Sequence, residues 1–316
     1  MIKLAILMDP LENIDPAHDS SFAMLLAAQA KGWSLYYFQQ QHLYCEAGQV
    51  KARAQKITVF DNKKPHFHCE AAQTYLLHEF DIVLMRKDPP FDMPYIYTTY
   101  LLEQAEKQGV LIVNKPQSLR DANEKLFTLW FANWCPKTLI SADKQLIKAF
   151  WQAEGEIVLK PLDGMAGRSI FYAKKDELNI NVMIETVTQY GKAPIMAQRY
   201  IPAIKTEGDK RILMLNGQAV PYALARLPAP DDFRGNMAAG ATTQVMPLNT
   251  QEQKLCQEIG PHLREKGLLF VGLDVIGGYL TEINVTSPTG IQELNKQANL
   301  SIAHDFMGVL EHLCKN

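Results

Sequence analysis

The sequence predicts an α/β protein whose first third carries a parallel sheet and whose C-terminal half is α+β. Three observations lead there. An apolar run at residues 2–8, a capped helical run at 22–31 and an apolar run at 35–38 alternate as strand, helix, strand, the order that builds parallel sheets. Residues 211–224 read as two strands around Asn216-Gly217, a pair that fits a tight hairpin turn. Residues 270–285 read as two more around Gly277 and Gly278. A chain of 316 residues is long enough for two or three domains. The expected units are 1–122, 123–200 and 201–316.

The first strand stops at Asp9-Pro10, so the start does not read as a signal peptide. Asp19, Ser20 and Ser21 cap the following helix and Gly32 ends it. Residues 45–70 are more polar, with an edge hairpin expected at 50–60. His66, Phe67, His68 and Cys69 match no common metal spacing and read as a surface loop. A strand at 81–85 runs into Arg86-Lys87-Asp88-Pro89-Pro90. Open α/β sheets bind ligands beyond the carboxyl ends of their strands. Arg86 therefore either grips a substrate carboxylate with two prongs or pairs with Asp88 on the surface. A helix at 97–108, a strand at 111–113 and a helix from 124 to 133 follow, the last placing Lys125 on its first turns.

A helix at 144–151 leads to a strand at 156–160 that ends in Lys160. The next loop, with Asp163, Gly164, Met165, Gly167 and Ser169, is glycine-rich enough for its backbone amides to approach an anion. It precedes a strand at 170–173, so it is not a phosphate loop before a helix. A strand at 195–200 closes this unit. Residues 227–245 show no periodicity, and their length argues for a lid. Arg226 and Arg234 are its expected protease sites. A helix at 252–266 ends at Gly267, and a final helix is expected at 298–313.

The segment from 270 to 290 organises the rest. Val271, Leu273 and Val275 alternate with Gly272 and Asp274; Thr281, Ile283 and Val285 alternate with Glu282 and Asn284. Glu282 and Asn284 therefore share a face. A two-residue turn with regular pairing sets Asp274 opposite Thr281 and mixes polar with apolar residues on both faces. A three-residue loop or a one-residue bulge sets Asp274 opposite Glu282 and keeps each face consistent. The second register gathers two carboxylates and an amide, the ligand set of a hard cation such as Mg²⁺. The alternative is a solvated hairpin surface.

Composition narrows the function further. Hydrophobic residues make up 47% and charged residues 21%, as in ordinary globular proteins. A formal net charge of −2 gives no reason to expect nucleic acid or an anionic membrane as partner. The five cysteines are scattered and odd in number, which suggests reduced thiols in a cytoplasm.

Seven segments in order, DSSFAMLLAAQ, LMRKDPPFD, NKPQSLRDANEKLF, LKPLDGMAGRSIF, GDKRILMLNGQAVPY, RGNMAAG and FVGLDVIGGYLTEINVTSP, resemble the prokaryotic glutathione synthetases of the ATP-grasp superfamily. The likeness covers essentially the whole chain. It implies an ATP-grasp fold with an N-terminal domain, and ATP-dependent joining of γ-glutamylcysteine to glycine through an acyl phosphate. By that resemblance Asp274, Glu282 and Asn284 hold Mg²⁺ or Mn²⁺. Lys125 and Lys160 contact ATP phosphates under the loop of Asp163, Gly164, Met165, Gly167 and Ser169. Gln198, Arg199, Tyr200 and Ile201 meet the adenine, with Asp209 and Lys210 also at the nucleotide. Arg86, Asp19 and Ser20 lie at the dipeptide, Arg211 near the transferred phosphoryl group, and Arg234 and Asn236 on the lid. The resemblance also suggests a homotetramer. Ala166, Arg168 and the run Ala241-Thr242-Thr243 depart from the family pattern and bear on loop closure and substrate holding. Another ATP-grasp ligase, adding glutamate to a protein tail or joining two D-alanines, and a non-catalytic ATP-binding regulator are the competing expectations.

Overall fold

Three sheets carry the chain, and the computed structural model describes residues 1–61, 64–164, 167–229 and 242–315. The first sheet comprises β1 (Lys3–Met8), β2 (Ser34–Phe38), β3 (Leu43–Glu46), β4 (Gln49–Val59), β5 (Phe67–Cys69), β6 (Gln73–Leu76), β7 (Ile82–Arg86) and β8 (Leu111–Val113). Its main order is β3-β4-β2-β1-β7-β8, with β5 and β6 also paired to β4. β1 runs parallel to β2 and β7, and β7 parallel to β8, as the alternation predicts. Helices α1 (Ser20–Ala30) and α2 (Met93–Glu106) supply the β1–β2 and β7–β8 crossovers, and α3 (Pro116–Asp121) follows β8. The Asp19 carboxylate accepts the Phe22 N–H at 2.6 Å, the N-cap expected of it.

The hairpin expected at 50–60 is instead one eleven-residue strand, β4. Its buried residues change parity midway. Val50, Ala52 and Ala54 join the core on one side of the sheet, and Ile57 and Val59 join the core on the other. The polar pair Gln55-Lys56 sits at the switch, where the partners change from β3 and β6 to β2 and β5. A flip of face inside one strand mimics a turn in the sequence. Cys69 and its neighbours lie in β5, not in a loop, and no metal-binding group of three His, Cys, Asp or Glu occurs among the described residues. The helix expected from 124 is a 3₁₀ segment, Leu126–Trp134, with Lys125 at its N-cap.

The second sheet, order β11-β10-β12-β9, is antiparallel and holds β9 (Thr138–Ser141), β10 (Ile157–Pro161), β11 (Phe171–Ala173) and β12 (Ile195–Arg199). One face presents Ile157, Leu159, Ala173, Ile195 and Ala197 to α4 (Lys144–Glu154) and α5 (Ile180–Val187), forming a core of its own. The third sheet, order β15-β14-β13-β16-β17, consists of β13 (Asp209–Leu215), β14 (Gln218–Leu227), β15 (Thr242–Pro247), β16 (Phe270–Ile276) and β17 (Tyr279–Asn284). The short α6 (Ile204–Glu207) precedes it, and α7 (Thr250–Glu265) packs on it. Part of the aperiodic 227–245 stretch is thus β15, paired to β14. Leu227 ends β14, and residues 230–241, Arg234 and Asn236 among them, lie outside the described residues.

The expected last helix is two, α8 (Ile291–Ala298) and α9 (Ile302–Lys315), because Asn299 takes a left-handed φ of 51° that ends the first. α9 packs against α1, and Phe306, Met307 and Leu310 share a core with Leu4, Ile6 and Met24. A second apolar cluster joins Ala5 and Leu7 to Ile212, Leu273 and Ile283. The first and third sheets therefore share common cores. Among the described residues no helix is long and apolar enough to cross a membrane.

Candidate active site

The β16–β17 hairpin takes the bulged register. Gly272 faces Asn284, Leu273 faces Ile283 and Asp274 faces Glu282; pairing then slips by one residue, so that Val275 faces Leu280. The left-over residue is Thr281, which makes the Gly277-Gly278 turn compatible with the polar face. Asp274, Glu282 and Asn284 thus share one surface, with the Asn284 Nδ2 donating to the Asp274 Oδ2 at 3.2 Å.

β13 lies on the other side of β16 and sets Arg211 directly opposite Asp274. The guanidinium grips the carboxylate with two bonds, Nε to Oδ1 and Nη2 to Oδ2, each 2.7 Å. Arg226 of β14 reaches the same Oδ2 at 3.0 Å and the Asp209 Oδ2 at 2.6 Å. Burial alone pushes the Asp274 carboxyl up, but Arg211 and Arg226 outweigh it and hold the group well below the carboxylate range. Asp209 goes the other way: burial, reinforced by Asp274, raises it to about 6 despite Arg226. Its Oδ1 is buried without a hydrogen-bond partner.

The second sheet faces this surface with the side opposite its core. Val158 pairs with Tyr172 and Gln198, and Lys160 with Met196, so the side chains of Lys160, Gln198 and Tyr172 share that side. The Lys160 Nζ donates to the Gln198 Oε1 at 2.8 Å. Burial lowers its pKa, while the charges of Glu282, Asp209 and Asp274 raise it, placing it within electrostatic reach of the hairpin. Lys125 is closer still, donating to the Glu282 Oε1 at 2.9 Å and to the Gly164 carbonyl at 2.8 Å. Burial opposes its charge, but Glu282 outweighs it and the pKa rises. Lys125 thereby ties the glycine-rich loop to the hairpin. Asp163, Gly164, Arg168 and Ser169 of that loop line a cavity of about 300 Å³ whose far wall includes Pro89 and Pro90. Tyr200 packs its ring on Tyr172 at 4.5 Å, and Tyr172 donates to the Glu156 Oε1 at 2.7 Å. Arg199 is exposed and Ile201 half-buried beside it. Gly167 belongs to the same loop, and Met165 lies outside the described residues.

Other expected site residues sit elsewhere. Lys210, next to Arg211 on an alternating strand, points to the opposite face and pairs with Glu252 at 2.9 Å beneath α7. Arg86 is neither free nor paired on the surface with Asp88. It is 5% exposed, donates from Nε to the Ser21 Oγ and from Nη2 to the Pro288 carbonyl, both at 2.9 Å, and lies over the Phe270 ring. The Ser20 Oγ accepts the Gly290 and Ile291 N–H groups at 3.1 and 3.2 Å. Asp19, Ser20 and Arg86 therefore mark a seam between the N-terminal sheet and the chain leaving β17. The sequence reading gave no site role to Glu124, Tyr172 or Arg226, and expected at Arg226 a protease site where the structure buries it against Asp209 and Asp274. Extending the β14 alternation by two residues places Arg226 opposite Asp209. No local pattern reveals the other two.

The profile of the prokaryotic glutathione synthetase N-terminal domain matches residues 2–120, and that of the prokaryotic glutathione synthetase ATP-grasp domain matches residues 124–299. The chain is 52% identical to a glutathione synthetase of Pseudomonas aeruginosa over 98% of this chain and 97% of that one. It is 51% identical to that of Escherichia coli (strain K12), over 98% of each. The chain belongs to the prokaryotic glutathione synthetase family. It is accordingly an ATP-dependent ligase of glutathione synthesis, using ATP and a divalent metal. Solved structures place this glutathione synthetase chain within the wider ATP-grasp fold. D-cycloserine synthetase superposes with a TM-score of 0.68 at 12% identity, over 98% of this chain and 99% of that one. D-alanyl-alanine synthetase A from Vibrio cholerae gives 0.60 at 12%, over 100% and 99%. At such identities the likeness concerns the fold.

Proposed function

We propose that the chain joins γ-glutamylcysteine to glycine through an acyl phosphate, with Mg²⁺ as its metal and Mn²⁺ as a substitute. A carboxylate is a poor acyl donor. The γ-phosphoryl group of ATP moves to the cysteinyl carboxylate, giving the acyl phosphate and ADP. The glycine amine then attacks the acyl carbon, losing a proton, and phosphate leaves. Asp274, Glu282 and Asn284 would hold the metal, which would neutralise phosphate charge, most of what phosphoryl transfer requires. The donor set suits it, being all oxygen with two carboxylates on one face.

Lys125 and Lys160 hold the phosphates from the side of the second sheet, and Arg211, fixed by Asp274, faces the transferred group. Tyr200 and Gln198 meet the base. Arg86, with Asp19 and Ser20, fixes the seam beside the dipeptide, and Arg234 and Asn236 close over the intermediate to exclude water. The working units are 1–122, 123–200 and 201–316, the protein acts in the cytoplasm, and its assembly is a homotetramer.

The observation that carries this reading is the meeting of Glu282 with Lys125 and of Asp274 with Arg211 across three separate chain segments. Glycine-dependent ADP release with γ-glutamylcysteine, with the product identified by mass, tests it. ADP release that requires D-alanine instead, or none with any acceptor, overturns it.

A further inference from the structure

β17 is the edge strand of its sheet, with β16 on one side only. An edge leaves backbone groups unpaired, yet β17 and the residues beyond it carry two of the three metal-ligand side chains. Glu124 covers that edge. Its backbone carbonyl accepts the Ile283 N–H at 2.8 Å. Its Oε1 accepts three further donors, the N–H groups of Val285 at 2.9 Å and Thr286 at 3.0 Å and the Thr286 hydroxyl at 2.8 Å. Four hydrogen bonds from one residue thus bracket Asn284, the last residue of the strand. The next residue, Lys125, holds the Glu282 carboxylate. Residues 124 and 125 together grip the metal-ligand strand, one by its backbone and one by a ligand side chain.

The geometry points to Glu124 as a positioning residue that fixes Asn284 and Glu282 in the register the divalent cation needs. It rests on the reading of the hairpin as the metal site. Glu124 offers the metal no direct contact in this role; it acts through the strand, as the groups behind metal ligands do. What matters is an acceptor at the Oε1 position, so an amide should serve where a methyl group does not.

The test measures Mn²⁺ binding to the whole protein with ADP, by the loss of the free-ion electron paramagnetic resonance signal, with no turnover involved. Glu124→Ala should weaken Mn²⁺ by about 10–100-fold, the usual effect of removing a group behind a metal ligand. Glu124→Gln, which keeps the acceptor, should restore it to near the wild-type value. Metal-free ADP binding and the thermal midpoint report whether each variant is folded. Should Glu124→Ala fail to fold, Thr286→Val, which removes only the hydroxyl bond, must still weaken Mn²⁺ severalfold. Wild-type Mn²⁺ affinity in folded Glu124→Ala, or unchanged affinity in Thr286→Val, overturns the proposal. Equal weakening by Ala and Gln also overturns it, because charge and not position would then be the cause. Glu282→Gln is the control for the underlying reading. If it leaves Mn²⁺ binding intact, the hairpin is not the metal site and the proposal falls with it; if it abolishes binding while Glu124→Ala does not, only the proposal falls.

Discussion

Replacing Asp209 with Asn should stabilise the fold at neutral pH and should do so less as the pH falls. The carboxyl is raised by burial from 3.8 to about 6, against the pull of Arg226, which is not enough to offset desolvation. The sign follows from which state binds more protons. Between pH 3.8 and 6 the folded state holds a proton that the unfolded state has released, so stability falls as the pH rises through this window. Above pH 6 the folded protein carries an ionised Asp209 at a disadvantage of ~3 kcal/mol relative to the unfolded chain. Asn removes that disadvantage and keeps the shape. The expectation at pH 7.5 is a gain of about 1–3 kcal/mol, smaller by about 1.4 kcal/mol at pH 5, where wild-type Asp209 is largely protonated. Urea unfolding of both proteins at pH 5, 6 and 7.5 checks it. If the Asn variant is instead weaker at pH 7.5 than at pH 5, Arg226 stabilises the carboxylate by more than burial costs it, and the reasoning fails.

Glu282→Gln should leave the fold intact and reduce kcat by at least about a hundredfold, ~2.7 kcal/mol of transition-state stabilisation; near wild-type turnover of the folded variant at saturating Mg²⁺ removes Glu282 from the site. Arg86→Ala should raise the KM for γ-glutamylcysteine while sparing that for ATP. Because Arg86 is buried and donates to Ser21 and Pro288, it should also lower stability by about 1.5–3 kcal/mol, measured by denaturant unfolding. An effect confined to the KM for ATP contradicts its placement. Native trypsin should spare Arg226, buried between β13 and β15 with two carboxylate partners, and a fragment ending at Arg226 by mass refutes that protection.

The hairpin was legible because its chemistry is local. Asp274 and Val285 are eleven positions apart, and the clash of polar and apolar faces leaves one register, which the Thr281 bulge supplies. The helix cap at Asp19 was legible for the same reason. β4 was not, since its change of face at Gln55-Lys56 depends on which strands flank each half. The resemblance put Lys210 at the nucleotide, whereas strand alternation sends it to the face opposite Arg211, where it pairs with Glu252. The grip of Glu124 and Lys125 on β17 joins residues 157 or more apart in sequence, and no pattern within either segment announces it.

The packing of α9 on α1 ties the two ends of the chain to one core, and this sets the order in which a nascent chain is able to fold. As the ribosome releases the N-terminal strands, Leu4, Ile6 and Met24 have no Phe306, Met307 or Leu310 to bury against. That flank, partly covered by α1, is completed only when α9 is made, and completing it means closing a loop of roughly 300 residues. The four-stranded sheet, whose core among the described residues comes from residues between 139 and 197, is under no such constraint. It is the part equipped to fold on emerging, while the first sheet depends on α9, which is translated long after it.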